Sequence, residues 1–257
     1  MHEYWQKQGS EPLFPHLVWA RPETRATAGK LLIIGGTAQS FAAPAESYAA
    51  ANQAGVGTAR IILPSSLRKT VSKLFPEAEF APSTPSGSFG QQALGELLPL
   101  ASWADGVLIA PDTGSNSETT LLFESLLTKF PGHITLCGDV IDVLTRQPEI
   151  MLDRAETTLV LSFAQLQKIA SVAKFPEAFT SDMPLLRFVA ALREFAKQHD
   201  AHMLVTFGEL TAVTAQGRVS TTELVSTSVA AQAARTATWW LQNTTKPFEA
   251  LTTSIII

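Results

Sequence analysis

Short aliphatic runs, each closed by glycine, proline or a polar turn, alternate with helix-forming stretches along almost the whole of this chain. Lys30 to Ile34 runs straight into Gly35-Gly36, and an alanine-rich stretch from Pro44 to Ala54 follows with helical composition and proline near its first turn. The pattern recurs as a strand at Ala59 to Leu63, a helix from about Ser65 to Leu74, a Pro/Ser/Gly loop at Pro82 to Gly87 and a helix ending near Leu100. A strand at Val107 to Ala110, a helix over Glu118 to Lys129, a strand at Ile134 to Cys137 and a helix over Val140 to Thr145 continue it. Continuous apolar strands separated by helices belong to a parallel sheet covered on both faces. The expected class is α/β, with three layers (α/β/α) around a mostly parallel central sheet.

The second half keeps the alternation. Thr158 to Leu161 reads as a strand feeding a helix at Phe163 to Ala173, and Leu185 to Lys197 as an amphipathic helix with Leu186/Ala190 and Leu192/Phe195/Ala196 on its apolar face. His202 to Thr206 and Leu210 to Thr214 are separated only by Phe207-Gly208-Glu209, too short for a crossover, so this pair is antiparallel and forms a hairpin at one edge. A final helix is expected from roughly Val225 to Gln242, with Trp239 and Trp240 near its end. These tryptophans and the tail Ile255-Ile256-Ile257 either finish the core or belong to a homo-oligomer interface. The first 28 residues, rich in proline, polar residues and isolated aromatics, read as an arm on a domain spanning residues 29–257.

Composition excludes several function classes. With 46% hydrophobic and 16% charged residues and a formal charge of -4, the chain is too apolar for disorder. Its single cysteine, Cys137, permits neither a disulfide framework nor a cysteine-based zinc site, and the expected compartment is the reducing cytoplasm. Met1-His2-Glu3-Tyr4-Trp5 lacks the basic start and apolar run of a signal peptide, and no apolar stretch is long enough to span a bilayer, so no membrane partner is expected. Nineteen basic residues against 23 acidic ones, without clusters, argue against a nucleic-acid partner.

Chemistry is sparse. There is no Walker-type phosphate loop, no Gly-x-Ser-x-Gly elbow and no His-Glu-x-x-His pair. His199 and His202 have a spacing a metal can use, but read as solvated surface, and Cys137 reads as core packing; no metal ligand is assigned. The informative positions are at the carboxyl ends of the strands, where open α/β sheets bind ligands. Gly35 and Gly36 either let a ligand approach the backbone or make a tight turn. Asp112, in Ala110-Pro111-Asp112-Thr113-Gly114-Ser115-Asn116, and Asp139, after the next strand, either share a crevice that holds a hydroxyl or hydrated magnesium, or act as helix caps; Asp139 stands where an N-cap belongs.

Taken in order, these segments resemble the ribokinase-like fold, and within it the ADP- or ATP-dependent NAD(P)H-hydrate dehydratases, over about residues 20–250. The family's G-K/R-V-L-V-I-G-G-S is similar to Gly29-Lys30-Leu31-Leu32-Ile33-Ile34-Gly35-Gly36-Thr37. Its A-P and R-A-G-A-G are matched by Ala43-Pro44 and Gln53-Ala54-Gly55-Val56-Gly57, and its I-G-P-G-L-G by Ile109-Ala110-Pro111-Asp112-Thr113-Gly114. D-A-D-A-L-N-L-L corresponds to Cys137-Gly138-Asp139-Val140-Ile141-Asp142-Val143-Leu144, and D-P-F-E-A-A to Lys246-Pro247-Phe248-Glu249-Ala250. The resemblance implies repair of hydrated NADH and NADPH by dehydration, driven by hydrolysis of ADP or ATP, with magnesium as a possible companion. It also implies a nucleotide ligand as partner and, commonly, oligomers. Binding positions carried over are Gly35, Gly36, Pro111, Asp112, Gly114, Asp139, Thr227 and Ser228.

The family's reactive motifs are not kept. Its G-T-G-D, glycine amides at a helix start beside a catalytic Asp, falls on Thr227-Ser228-Val229-Ala230, and alanine accepts no proton. T-P-H-x-x-E is replaced by Ser162-Phe163-Ala164-Gln165-Leu166, the lysine of L-K-G-A is absent from Val205-Thr206-Phe207-Gly208, and the first Asp of D-A-D is Cys137. Ser220-Thr221-Thr222-Glu223 fits a capping box, which gives Glu223 a structural role rather than that of a replacement base. No residue is left to assign to catalysis. The expected function is a divergent dehydratase-like protein with weak or lost catalysis; the alternatives are a pseudoenzyme acting as a binding or assembly module and, last, a sugar or vitamin kinase.

Overall fold

A computed structural model describes residues 3–223 and 227–257. In chain order the elements are β1 (Trp5–Gln8), α1 (Pro15–Trp19), β2 (Lys30–Ile34), α2 (Ala42–Gln53), β3 (Thr58–Pro64), α3 (Arg68–Val71), β4 (Glu79–Ala81), α4 (Leu94–Trp103), β5 (Gly106–Ile109) and α5 (Ser117–Lys129). There follow β6 (His133–Cys137), α6 (Asp139–Leu144), α7 (Glu149–Leu152), β7 (Thr157–Leu161), α8 (Phe163–Val172), α9 (Leu185–Ala196) and β8 (His202–Phe207). β9 (Leu210–Ala215), β10 (Arg218–Glu223), α10 (Val229–Gln242) and α11 (Pro247–Thr253) complete the fold. None of the helices among the described residues is long and apolar enough to cross a membrane.

The strands form one sheet in the order β1-β10-β9-β8-β7-β6-β5-β2-β3-β4. β9 alone runs against its neighbours. The expected hairpin is β8 with β9, Met203 opposite Thr214, and two strands not anticipated extend the sheet beyond it. One of these corrects an expectation. Ser220 to Glu223 is strand, paired with Val213 to Leu210, and caps no helix; the expected start of the last helix at Val225 lies outside the described residues. Among the described residues a capping box is instead formed by Ser162 with Gln165, at the start of α8.

Alternation within a buried strand sorts residues between two cores. Leu31 and Ile33 of β2 face the layer containing α2, α3, α10 and α11, while Leu32 and Ile34 face the layer containing α4 to α9. All four are inaccessible to solvent, which is why the run reads as continuously apolar. In α9 the buried stripe is Phe188, Val189, Leu192 and Phe195, set by three-and-four spacing from Phe188; Leu186, expected on that stripe, is 50% exposed. Trp239 and Trp240 are both buried, so they finish the core.

The two histidines are also corrected. His199 lies on the aromatic ring of Phe195 and places Nδ1 2.7 Å from Asp153 Oδ1, with only 13% of its side chain exposed. His202 opens β8 and points under α10, its ring 5.4 Å from that of Trp240. Both are therefore packed rather than solvated, His199 against Phe195 and Asp153, and His202 against Trp240 because the sheet begins at His202 itself. No group of three potential metal ligands occurs among the described residues.

Candidate functional site

The order of the strands fixes where a ligand crevice belongs. The chain leaves β2 toward β3 on one side and later returns to β5 on the other. The loops after β2 and β5 therefore diverge at a topological switch point, outside the carboxyl ends of the strands. Gly35, Gly36, Pro111, Asp112 and Gly114 all lie on these two loops, and Asp139 follows the neighbouring strand β6.

The loops are bonded to one another. Asp112, at φ 70°, accepts a 2.6 Å hydrogen bond from Ser40 Oγ through Oδ2. Asp139 is not the cap of α6, since Gly138 holds that position; Asp139 is the first helical residue. Its carboxylate accepts from the Gly114 amide at 2.7 Å and the Thr113 amide at 3.2 Å. The expectation of capping thus gives way to a contact across the crevice, between loops 25 residues apart in sequence. Gln165 braces the same corner, donating to Gly138 O at 2.9 Å and to Asp142 Oδ2 at 3.0 Å. The packing is close. A Cβ at Gly35 would stand 2.8 Å from Pro44 Cγ, at Gly36 3.2 Å from Leu63 Cδ2, and at Gly114 it would overlap Ser88 Oγ. Asp139→Ala removes two charge-assisted hydrogen bonds from a half-buried carboxylate and is expected to cost about 2 kcal/mol in urea unfolding, with an unchanged m-value.

Thr227 and Ser228 belong to a second feature. Ser228 caps α10, its Oγ accepting from the Ala231 amide at 3.0 Å, and Val229 and Ala230 form the first turn. Ala230 is 3% exposed, and its carbonyl accepts from Ser47 Oγ of α2 at 3.2 Å. A cavity of about 220 Å³ opens at this turn, floored by Val160 near the carboxyl end of β7 and Leu204 in the middle of β8 and rimmed by Thr227, Ser228 and Val229. None of the glycines and aspartates of the first crevice lines it. Sequence reasoning missed Ser40, Gln165 and the aliphatic floor; only Gln165 had a readable signal, the Ser-x-x-Gln capping spacing.

Other candidates fall away from both places. Cys137 is fully buried, burial and then the nearby Asp139 push its thiol far up, and Sγ lies 3.4 Å from Ile109 O, so core packing accounts for it. Glu223 ends β10 and lines a separate hollow with Phe207 to Leu210.

No family model matches the chain. A stretch of 95 residues is 34% identical to the bifunctional NAD(P)H-hydrate repair enzyme of Methanothermobacter thermautotrophicus, covering 37% of this chain and 18% of that protein, so the match spans under a fifth of the curated relative's length. A ribokinase-like superfamily protein of Enterococcus faecalis superimposes with a TM-score of 0.74 at 15% identity, covering 100% of this chain and 86% of that one. The ADP/ATP-dependent NAD(P)H-hydrate dehydratase of Bacillus subtilis, co-crystallized with ATP/Mg2+, gives 0.65 at 12% identity, over 95% of this chain and 86% of that one. The fold is ribokinase-like, as the sequence motifs led us to expect.

Proposed function

We propose that this ribokinase-like chain is a divergent relative of the NAD(P)H-hydrate dehydratases in which nucleotide-driven dehydration is weak or lost and ligand binding remains. One observation carries the reading. The residue matched to the family's catalytic Asp is Ala230, buried in the first turn of α10 with no ionisable side chain among the residues lining the adjoining cavity. Proton transfer contributes roughly 10²–10⁴-fold to such reactions, and none of the described residues lining this cavity carries an ionisable group to perform it.

The residues at the turn do not fit a magnesium nucleotide. Val229 stands where the family has a glycine, the lining supplies no cation, and Asp112 and Asp139 are engaged by Ser40 and by the Thr113 and Gly114 amides. No step is therefore assigned to nucleotide hydrolysis. A sugar or vitamin kinase would need a base at the same position, so Ala230 counts against that reading equally.

The test is nucleotide-dependent dehydration of hydrated NADPH, with the Bacillus subtilis dehydratase as control, alongside calorimetric unfolding with ADP or ATP and magnesium. The expected result is turnover at least about 100-fold below the control and no nucleotide-driven rise in Tm. Comparable turnover would overturn the reading. Ala230→Asp is expected to recover less than about tenfold, because a restored carboxylate still lacks the lysine, histidine and glycine amides around it.

A further inference from the structure

We propose that the cavity at the start of α10 takes an uncharged ring compound of about ten heavy atoms, and not a phosphate-bearing ligand. This rests on the reading of the α10 turn as a ligand site, and is independent of whether any turnover survives.

Size is the first argument. A cavity of about 220 Å³ lies below the range of roughly 300–1,000 Å³ typical of sites that enclose drug-sized molecules, so it covers one ring system and leaves the rest of any larger ligand outside. Charge is the second. All the lining side chains among the described residues are neutral. A phosphate here would meet no cation among the described lining residues. Arg235, one turn beyond Gln232 on α10, donates to Gln232 Oε1 at 3.0 Å, and it is Gln232 rather than Arg235 that lines the cavity.

Surface chemistry is the third. The strand residues Val160 and Leu204, which face the α10 layer, give an aliphatic floor, while Val229 is 48% exposed at the mouth, an apolar side chain that a bound ring would cover. One polar edge accompanies this. Thr206 of β8 and Thr211 of β9 are directly opposed across the hairpin and both line the cavity. Their hydroxyls each donate and accept, which suits a neutral amide or ring nitrogen and offers a carboxylate or phosphate no compensating charge. The Ala231 amide of α10 is already taken by Ser228 Oγ, which reduces what the helix start can give to an anion.

The experiment uses the full chain with methyl-labelled Val and Leu. Benzamide and indole are titrated against benzoate, pyrophosphate and ATP with magnesium, following the Val160, Leu204 and Val229 methyl signals. A neutral ring is expected to shift them with Kd on the order of 10⁻⁴ to 10⁻³ M, and benzoate to bind at least about tenfold more weakly than benzamide. Val229→Glu, at an exposed rim position, should weaken ring binding at least about tenfold with Tm unchanged, while Leu186→Glu on α9 leaves it intact. Stronger shifts from pyrophosphate or ATP than from either ring, or no shift from any probe, overturn the proposal. Dehydration assayed on the same samples separates the two readings: turnover together with ring binding sinks only the loss of catalysis, whereas absence of both sinks this proposal and leaves the loss of catalysis standing.

Discussion

Gly138→Val is expected to lower unfolding free energy by about 2–6 kcal/mol, the largest effect foreseen for any single substitution at the strand ends. Gly138 joins β6 to α6 at φ 73° and ψ −144°, a corner of backbone space that residues with a Cβ almost never occupy. The strain alone is worth roughly 1–3 kcal/mol. A Cβ there would also stand 2.8 Å from Pro111 Cβ and 3.0 Å from Pro111 Cα, an overlap with backbone that adds roughly 1–3 kcal/mol. The two causes separate in a double mutant. Pro111→Gly in the Gly138→Ala background should return the steric part and leave the dihedral part, so denaturant midpoints of the four proteins test the assignment. Full additivity would show that contact with Pro111 is not the cause.

The second large effect is acid lability centred on His202 and His133. Burial, and then the nearby His133, lower the pKa of His202 from 6.5 to about 4. His133, whose ring is 4.3 Å from Trp240, is also lowered, chiefly by burial and further by Arg154, while Glu156 and Asp105 pull the other way. Above pH 6.5 the rings are neutral in both folded and unfolded chains, and their contribution is constant. Below 6.5 the unfolded chain takes up protons that folded His202 refuses until about pH 4, so stability falls with pH across that window. A shift of this size is worth about 3 kcal/mol. Urea titrations at intervals from pH 7.5 to 4 should show that loss, and His202→Phe should flatten most of it. An unchanged slope in the variant would place the acid-sensitive group elsewhere.

Most of the sheet was readable because its strands are buried on both faces. Lys30–Ile34 and His133–Cys137 announce themselves by composition alone. β10 does not. Its Ser220, Thr221 and Thr222 are buried, but they are satisfied by partners far away in sequence: Thr252 Oγ1, Trp5 Nε1 and Gln8 Nε2. A polar strand sealed by long-range hydrogen bonds carries no hydrophobic signal. The same limitation governed the candidate site. Spacing suggested a cap for Asp139 because caps are local, whereas the amides that it accepts from are on another loop. The proposal that Ala230 stands where the resembled family has a catalytic Asp came from the sequence, since it needs only an ordered set of motifs. The aliphatic floor of the cavity was not, because Val160 and Leu204 look like any other buried strand residues until the fold places them beside α10.

β1 gives the molecule a temporal asymmetry. Trp5–Gln8 pairs in parallel with Val219–Thr222, and Gln8 reaches Thr222 across 214 positions of sequence. During synthesis those four residues have no partner until nearly all the remaining chain has been made. The seven-strand run from β4 to β8 can assemble earlier, from neighbours much closer in sequence. Docking of β1 is then a late step that closes the exposed edge of β10, and until it happens that edge is the surface on which a newly made chain is most exposed to pairing with another.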